Sequence, residues 1–195
     1  GREIAWSAGA GGAEDIYVTD LGTGRTRRLT RLGGMAARPS WSPDGRRIAF
    51  LYVPGPAAPP ADRLPRFAIV PATAALTILP NLRFTWLGPG LAQERPSWSP
   101  TSDALLSYQP GCLRYSCIYG GGPATDEIRI VPLDGAPVAL EPLTDAATFV
   151  HWAADSSLIY VHGNQLWRAE LRNRSFLKPV RLVDVRCPKC NGVLF

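Results

Sequence analysis

The chain has 195 residues, 46% of them hydrophobic, with 19 Gly, 19 Pro and a formal net charge of +5 at pH 7. That apolar share excludes a disordered chain, and with no unbroken apolar run of about 18 residues the sequence holds no membrane-spanning helix. The positive charge sits on scattered arginines in blocks no longer than two, such as Arg27-Arg28 and Arg46-Arg47, with no aromatic-interleaved RNA motif, so nucleic acid is not an expected partner.

In chain order, Ile4-Ala-Trp6 reads as a strand, and Asp15-Ile-Tyr-Val-Thr-Asp-Leu21 as the next. A turn at Gly22-Thr-Gly24 leads to a more polar strand, Thr26–Thr30, whose Arg27 and Arg28 suit a sheet edge that must resist pairing with other edges. The segment Arg38-Pro-Ser-Trp-Ser-Pro-Asp-Gly-Arg-Arg-Ile-Ala-Phe-Leu51 follows. Its first part is a strand ended by Ser42-Pro-Asp-Gly45, where Pro fixes φ, Asp caps the turn and Gly accepts positive φ. Arg47–Val53 is then a nearly unbroken apolar run of β-branched and aromatic residues, as expected of a strand covered on both faces. Phe67–Val70 and Leu76–Leu79 complete this set.

The same order recurs. Arg95-Pro-Ser-Trp-Ser-Pro100 repeats the Trp41 segment, and Val150-His-Trp-Ala-Ala-Asp155 repeats it in degraded form. Trp41, Trp98 and Trp152 stand 57 and 54 residues apart. Glu127–Leu133 and Gln165–Leu171 match the Asp15 strand, and Val138–Leu143 and Val180–Val185 match the polar fourth strand. A near-constant period of this kind marks a repeat architecture in which each unit buries its faces on its neighbours. The expected fold is therefore an all-β β-propeller of four-stranded antiparallel blades over 1–186. Its units are 1–31, 38–80, 95–144 and 149–186, with a Cys-x-x-Cys tail at 187–195. Ile4-Ala-Trp6 aligns with Ile48-Ala-Phe50, so the first unit begins at a second strand. The expectation is three full blades and one partial one. Such a chain is a fragment of a longer propeller, a ring completed by a partner, or a small four-bladed disc with one three-stranded blade. Inserts 54–65 and 111–125 fall at the same connection and are expected to project from the same face.

Residues Asp15 to Thr30 followed by Pro39 to Phe50 resemble the TolB-like propeller repeat, which is related to WD-type repeats. The likeness extends over 14–51 and returns in the Trp98 unit; in the last unit Ala153-Ala154 replace Ser-Pro. The resemblance implies an extracytoplasmic protein-binding module, periplasmic or extracellular, or a non-catalytic domain beside a hydrolase.

Candidate chemistry is sparse. Cys112 and Cys117 flank four residues in the third unit's insert and are either a disulfide that closes a small ring or two free thiols. Cys187-Pro-Lys-Cys190 resembles half of a zinc knuckle; a full site takes four ligands, so zinc there requires ligands from elsewhere, and a disulfide or free thiols are the other readings. No other cofactor is expected. His151 holds the place of Ser40 and Ser97 beside the repeat's Trp, which suggests packing or hydrogen bonding. There is no G-x-S-x-G elbow, H-E-x-x-H, P-loop or G-x-G-x-x-G turn. Asp44, Asp103 and Asp155 recur at similar offsets after the tryptophans and read as turn caps, with a channel cation as the sharper alternative. The expected function is non-enzymatic protein binding, with Arg114, Tyr115 and Tyr119 of the 111–125 insert as contact residues. Two alternatives stand: a propeller domain of a larger serine peptidase, and a structural subunit of a membrane-associated complex.

Overall fold

The computed structural model describes residues 1–59, 66–71, 77–78, 95–109, 127–133, 138–139, 147–162, 165–172 and 175–184. All regular structure among them is strand, with no helix. The chain divides into two compact units, residues 1–105 with 131–137, and residues 106–130 with 138–195.

The first sheet begins with β1 (Glu3–Ala10), which pairs antiparallel with β2 (Ala13–Asp20); β2 also pairs with the short β3 (Thr26–Arg28). The next strands run in simple antiparallel order: β4 (Met35–Trp41), β5 (Arg47–Val53), β6 (Arg66–Pro71) and β7 (Thr77–Ile78). A single parallel pair, Glu14 with Met35, joins β2 to β4, so both groups count as one seven-stranded sheet. The sequence predicted separate groups of three and four strands; the pairing departs from that at this one contact.

Residues 47–53 show why the apolar run is unbroken. Successive side chains of a strand point to opposite faces. On one face Ile48, Phe50 and Tyr52 join Ala68 and Val70 and meet Ile16 and Val18 of β2. On the other, Ala49 and Leu51 with Phe67 and Ile69 meet Trp98, Leu105 and Val131. Both faces of β5 are therefore interior, and the polar alternation of a half-exposed strand is absent.

β8 (Ser97–Trp98), β9 (Ala104–Gln109), β10 (Glu127–Pro132) and β11 (Val138–Ala139) form a four-stranded sheet in the order β11-β10-β9-β8. In the second unit, β12 (Ala147–Trp152), β13 (Leu158–His162) and β14 (Gln165–Ala169) pair in sequence, and β14 pairs with β17 (Val180–Asp184). Between β14 and β17 the chain makes a small hairpin of β15 (Leu171–Arg172) and β16 (Ser175–Phe176), which the sequence reading did not anticipate.

Candidate interaction surface

The turns after the three tryptophans share one geometry. Gly45 N–H donates to Ser42 O, Ser102 N–H to Ser99 O and Ser156 N–H to Ala153 O, at 2.9, 2.9 and 3.0 Å. The donor residue has positive φ in each: 69° at Gly45, 62° at Ser102 and 64° at Ser156. Gly adopts this region freely, whereas the two serines hold it at a steric cost. The last turn closes between Ala153 N–H and Ser157 O, one residue sooner than Ser42 N–H to Arg47 O.

The recurring carboxylates serve these turns. Ser42 hydroxyl donates to Asp44, which also accepts from Arg46 N–H at 3.0 Å. These bonds, with the Arg47 guanidinium, hold the Asp44 carboxyl below its usual range. Asp103 accepts from the Thr101 and Ser99 hydroxyls at 2.6 and 2.7 Å and is lowered by them in that order. Asp155 accepts from the Ser157 hydroxyl at 2.6 Å and its N–H at 3.0 Å and pairs with Arg168; the Ser157 bonds lower it most. Asp103 does not share the position of the other two, because Thr101 stands where Asp44 and Asp155 stand. Among the described residues no three His, Cys, Asp or Glu side chains gather as a metal site.

Two hydrogen bonds tie the turn and strand of one repeat to those of the next. Trp98 Nε1 donates to Ser40 O at 2.9 Å, and Asp44 N–H donates to Ser102 Oγ at 3.0 Å. The Arg47 guanidinium lies 5.8 Å from the Trp98 ring centroid, a cation–π contact across the same junction. The indole N–H groups of Trp41, Trp152 and Trp167 are buried without a hydrogen-bond partner among the described residues.

Sequence reading missed a polar cluster at the junction between β3 and β4. Asp15 is buried and accepts from the Thr30 hydroxyl at 2.8 Å and pairs with Arg28; Thr30 Oγ1 accepts Ile16 N–H at 2.9 Å, and Arg28 Nε donates to Thr30 O at 3.0 Å. The available signal was Asp15 at the head of an apolar strand, where a carboxylate requires partners. The cluster anchors residues 29–34, and Gly33-Gly34 of that segment lie against the start of the 54–65 insert. A Cβ at Gly34 would stand 2.4 Å from Val53 O and 2.7 Å from Gly55 N. The described part of the insert leaves this contact through a turn with Ala58 N–H on Gly55 O.

His151 is exposed, opposite Ile159 across the sheet, so of the expected packing or hydrogen bonding the packing is not seen. In the second unit, Arg168, Glu170, Leu177, Lys178, Val180 and Leu182 line an open hollow of about 330 Å³. Cys112, Arg114, Tyr115, Cys117, Tyr119, Cys187 and Cys190 all lie outside the described residues.

No protein-family model matches the chain. Over 55 residues, 28% of its length, it is 38% identical to the Tol-Pal system protein TolB of Francisella tularensis, of which the match covers 13%. Among solved structures it is similar to TolB from Acinetobacter baumannii, with a TM-score of 0.56, 19% identity and coverage of 86% of this chain and 37% of that one. It is also similar to a puromycin-hydrolyzing peptidase of Mycobacterium tuberculosis, with a TM-score of 0.53, 19% identity and coverage of 95% and 29%. Hydrazine synthase of Kuenenia stuttgartiensis gives a TM-score of 0.57 at 11% identity, covering 87% and 50%. The chain thus spans only a small part of the curated relatives it matches and half or less of these solved structures. The all-β fold fits a β-propeller, and the 55 matched residues carry a TolB-like repeat.

Proposed function

We propose that the chain is a run of TolB-like propeller blades that binds protein and performs no catalysis. In this reading there are three four-stranded blades and one that lacks its first strand, spread over 1–186, and the module works outside the cytoplasm, in the periplasm. The observation that carries the proposal is the use of the repeat's polar residues. Asp44, Asp103 and Asp155 are committed to turns, which leaves the connections between strands as the variable surface. Partner contact falls to the inserts 54–65 and 111–125, with Tyr115 and Tyr119 as aromatic anchors and Arg114 as a charged one. A Cys112–Cys117 disulfide would stiffen that insert in an oxidising compartment. The Cys187–Cys190 pair would take zinc only with ligands from beyond this pair.

The test deletes residues 112–117 and measures partner capture by the purified module alongside its thermal unfolding. We expect capture to fall at least tenfold with unfolding unchanged; equal capture by a folded deletion variant rejects the insert as the binding surface. A second reading, a propeller domain beside a peptidase, draws on the fold likeness to the puromycin-hydrolyzing enzyme. A G-x-S-x-G elbow on the same polypeptide would establish it. A third, a structural subunit of a membrane-associated complex, is distinguished by crosslinking of the native assembly.

A further inference from the structure

The fourth strand of every repeat ends its sheet among the described residues: β3 pairs only with β2, β7 with β6, β11 with β10 and β17 with β14. In the first three the chain continues into another repeat, so an open outer edge belongs to this position and does not depend on where the chain stops. Such an edge is a template for foreign strands, and proteins blunt it by shortness and charge. β3 has three residues, two of them arginines, and β7 and β11 have two each. β17 departs from this pattern. It has five residues, all exposed, and Val180, Leu182 and Val183 stand at 62%, 47% and 53% exposure. Its two charges meet each other, Arg181 with Asp184 at 3.4 Å.

The edge adjoins a receptacle. The register between β14 and β17 slips: Val183 stands opposite Leu166 and Arg181 opposite Trp167, so Leu182 has no partner across the pair. A bulge of this kind re-aims a side chain, and Leu182 lines the hollow of about 330 Å³ together with Val180, Leu177, Arg168, Glu170 and Lys178. The hairpin of β15 and β16 brings Leu177 there, its N–H donating to Glu170 O at 2.9 Å. Of the two cations, Arg168 is held by Asp155 and the Ser157 hydroxyl. Lys178, two residues ahead of β17, is exposed and has no ion-pair partner among the described residues.

We propose that the outer edge of β17, with the hollow beside it, takes an extended segment of a partner protein, antiparallel to β17. That segment has apolar residues at alternate positions and an Asp or Glu at its C-terminal end. Main-chain bonds attach it, and alternate side chains enter the hollow over Val180 and Leu182. Antiparallel pairing is the stronger kind and brings the segment's C-terminal end to Lys178, where a carboxylate complements the unpaired ammonium. Two copies of a chain of net charge +5 repel each other, which favours an acidic partner over a second copy. This inference rests on the repeat reading of the strands and is independent of the inserts 54–65 and 111–125.

The test adds the peptide acetyl-Thr-Val-Thr-Val-Thr-Asp-Thr-amide to the 195-residue chain and follows binding by calorimetry and backbone hydrogen exchange in 180–184. We expect one peptide per chain and exchange there slowed about tenfold, with equal binding by the variant that lacks 112–117. Asn in place of the peptide's Asp should weaken binding about threefold, the scale of an exposed ion pair. A Lys178→Glu chain should prefer a peptide with Lys at that place over the one with Asp. A Leu182→Lys chain should bind about tenfold more weakly through the lost apolar contact, and both variants should unfold at the parent temperature. No binding, binding without slowed exchange in 180–184, or binding that disappears with residues 112–117 overturns the proposal. So does an edge already protected in the chain alone: protection lost on dilution assigns it to a second copy, and protection lost on removing 185–195 assigns it to the chain's own tail.

Discussion

Asp44, Asp103, Asp155 and Asp20 are all acceptors of several short hydrogen bonds, and all four have their carboxyls lowered by them. For Asp20 the Thr23 N–H is the largest contributor. A carboxylate whose pKa is lower folded than unfolded contributes stability that is present above its unfolded value, about 4, and is lost as pH falls through the folded one. Thermal unfolding midpoints should therefore hold steady from about pH 7 to pH 5 and drop on further acidification. An Asp44→Asn, Asp155→Asn double variant should show a shallower acid limb by differential scanning fluorimetry. The turn role of these residues was legible, because Ser-Pro-Asp-Gly announces its own geometry. The buried Asp15, Arg28 and Thr30 cluster was not: its members lie 13 and 15 residues apart along the chain and meet only through the fold.

At the scale of elements, strand order followed from the repeat, while strand ends did not. The predicted Thr26–Thr30 strand stops at Arg28, because beyond it the chain turns to the Asp15 carboxylate, with Leu32 N–H and Thr30 Oγ1 both bonded to it. The hairpin of β15 and β16 lacks an apolar pattern long enough to flag it: each strand has two residues. Beyond those side-chain bonds, the end of the connection after β3 makes a close backbone approach at Gly34. A methyl group there meets main-chain atoms that have no rotamer to escape into. Gly34→Ala should lower stability by about 1–3 kcal/mol, the usual cost of overpacking, read as a lower urea midpoint with unchanged slope. Values within 0.5 kcal/mol of the parent would contradict the contact.

On the scale of the molecule, sheets are joined through side chains more than through main-chain bonds. Ile16, Val18, Ile48 and Phe50 form one apolar layer, and Ala49, Leu51, Phe67, Trp98 and Leu105 another. Trp98 contributes to three things at once: this second layer, the bond to Ser40 and the contact with Arg47. Trp98→Ala should cost about 3–5 kcal/mol, with Trp98→Phe losing about 1–2 kcal/mol through the orphaned Ser40 carbonyl; chemical denaturation distinguishes the two. A Trp98→Phe variant as unstable as Trp98→Ala would place the energy in the indole N–H rather than in the layer. The layers were legible in the unbroken run at 47–53. The contact surface was not, since inserts 54–65 and 111–125 have no periodicity from which a partner can be read.

The two inter-repeat hydrogen bonds, one from an indole and one to a buried hydroxyl, act at separate points along the same junction. An oily layer alone lets neighbouring surfaces slide or swivel, since dispersion is indifferent to direction; two directional anchors remove that freedom. Tightness and angle are thereby controlled by different chemistry: interior substitutions loosen the joint, while loss of either anchor lets it turn.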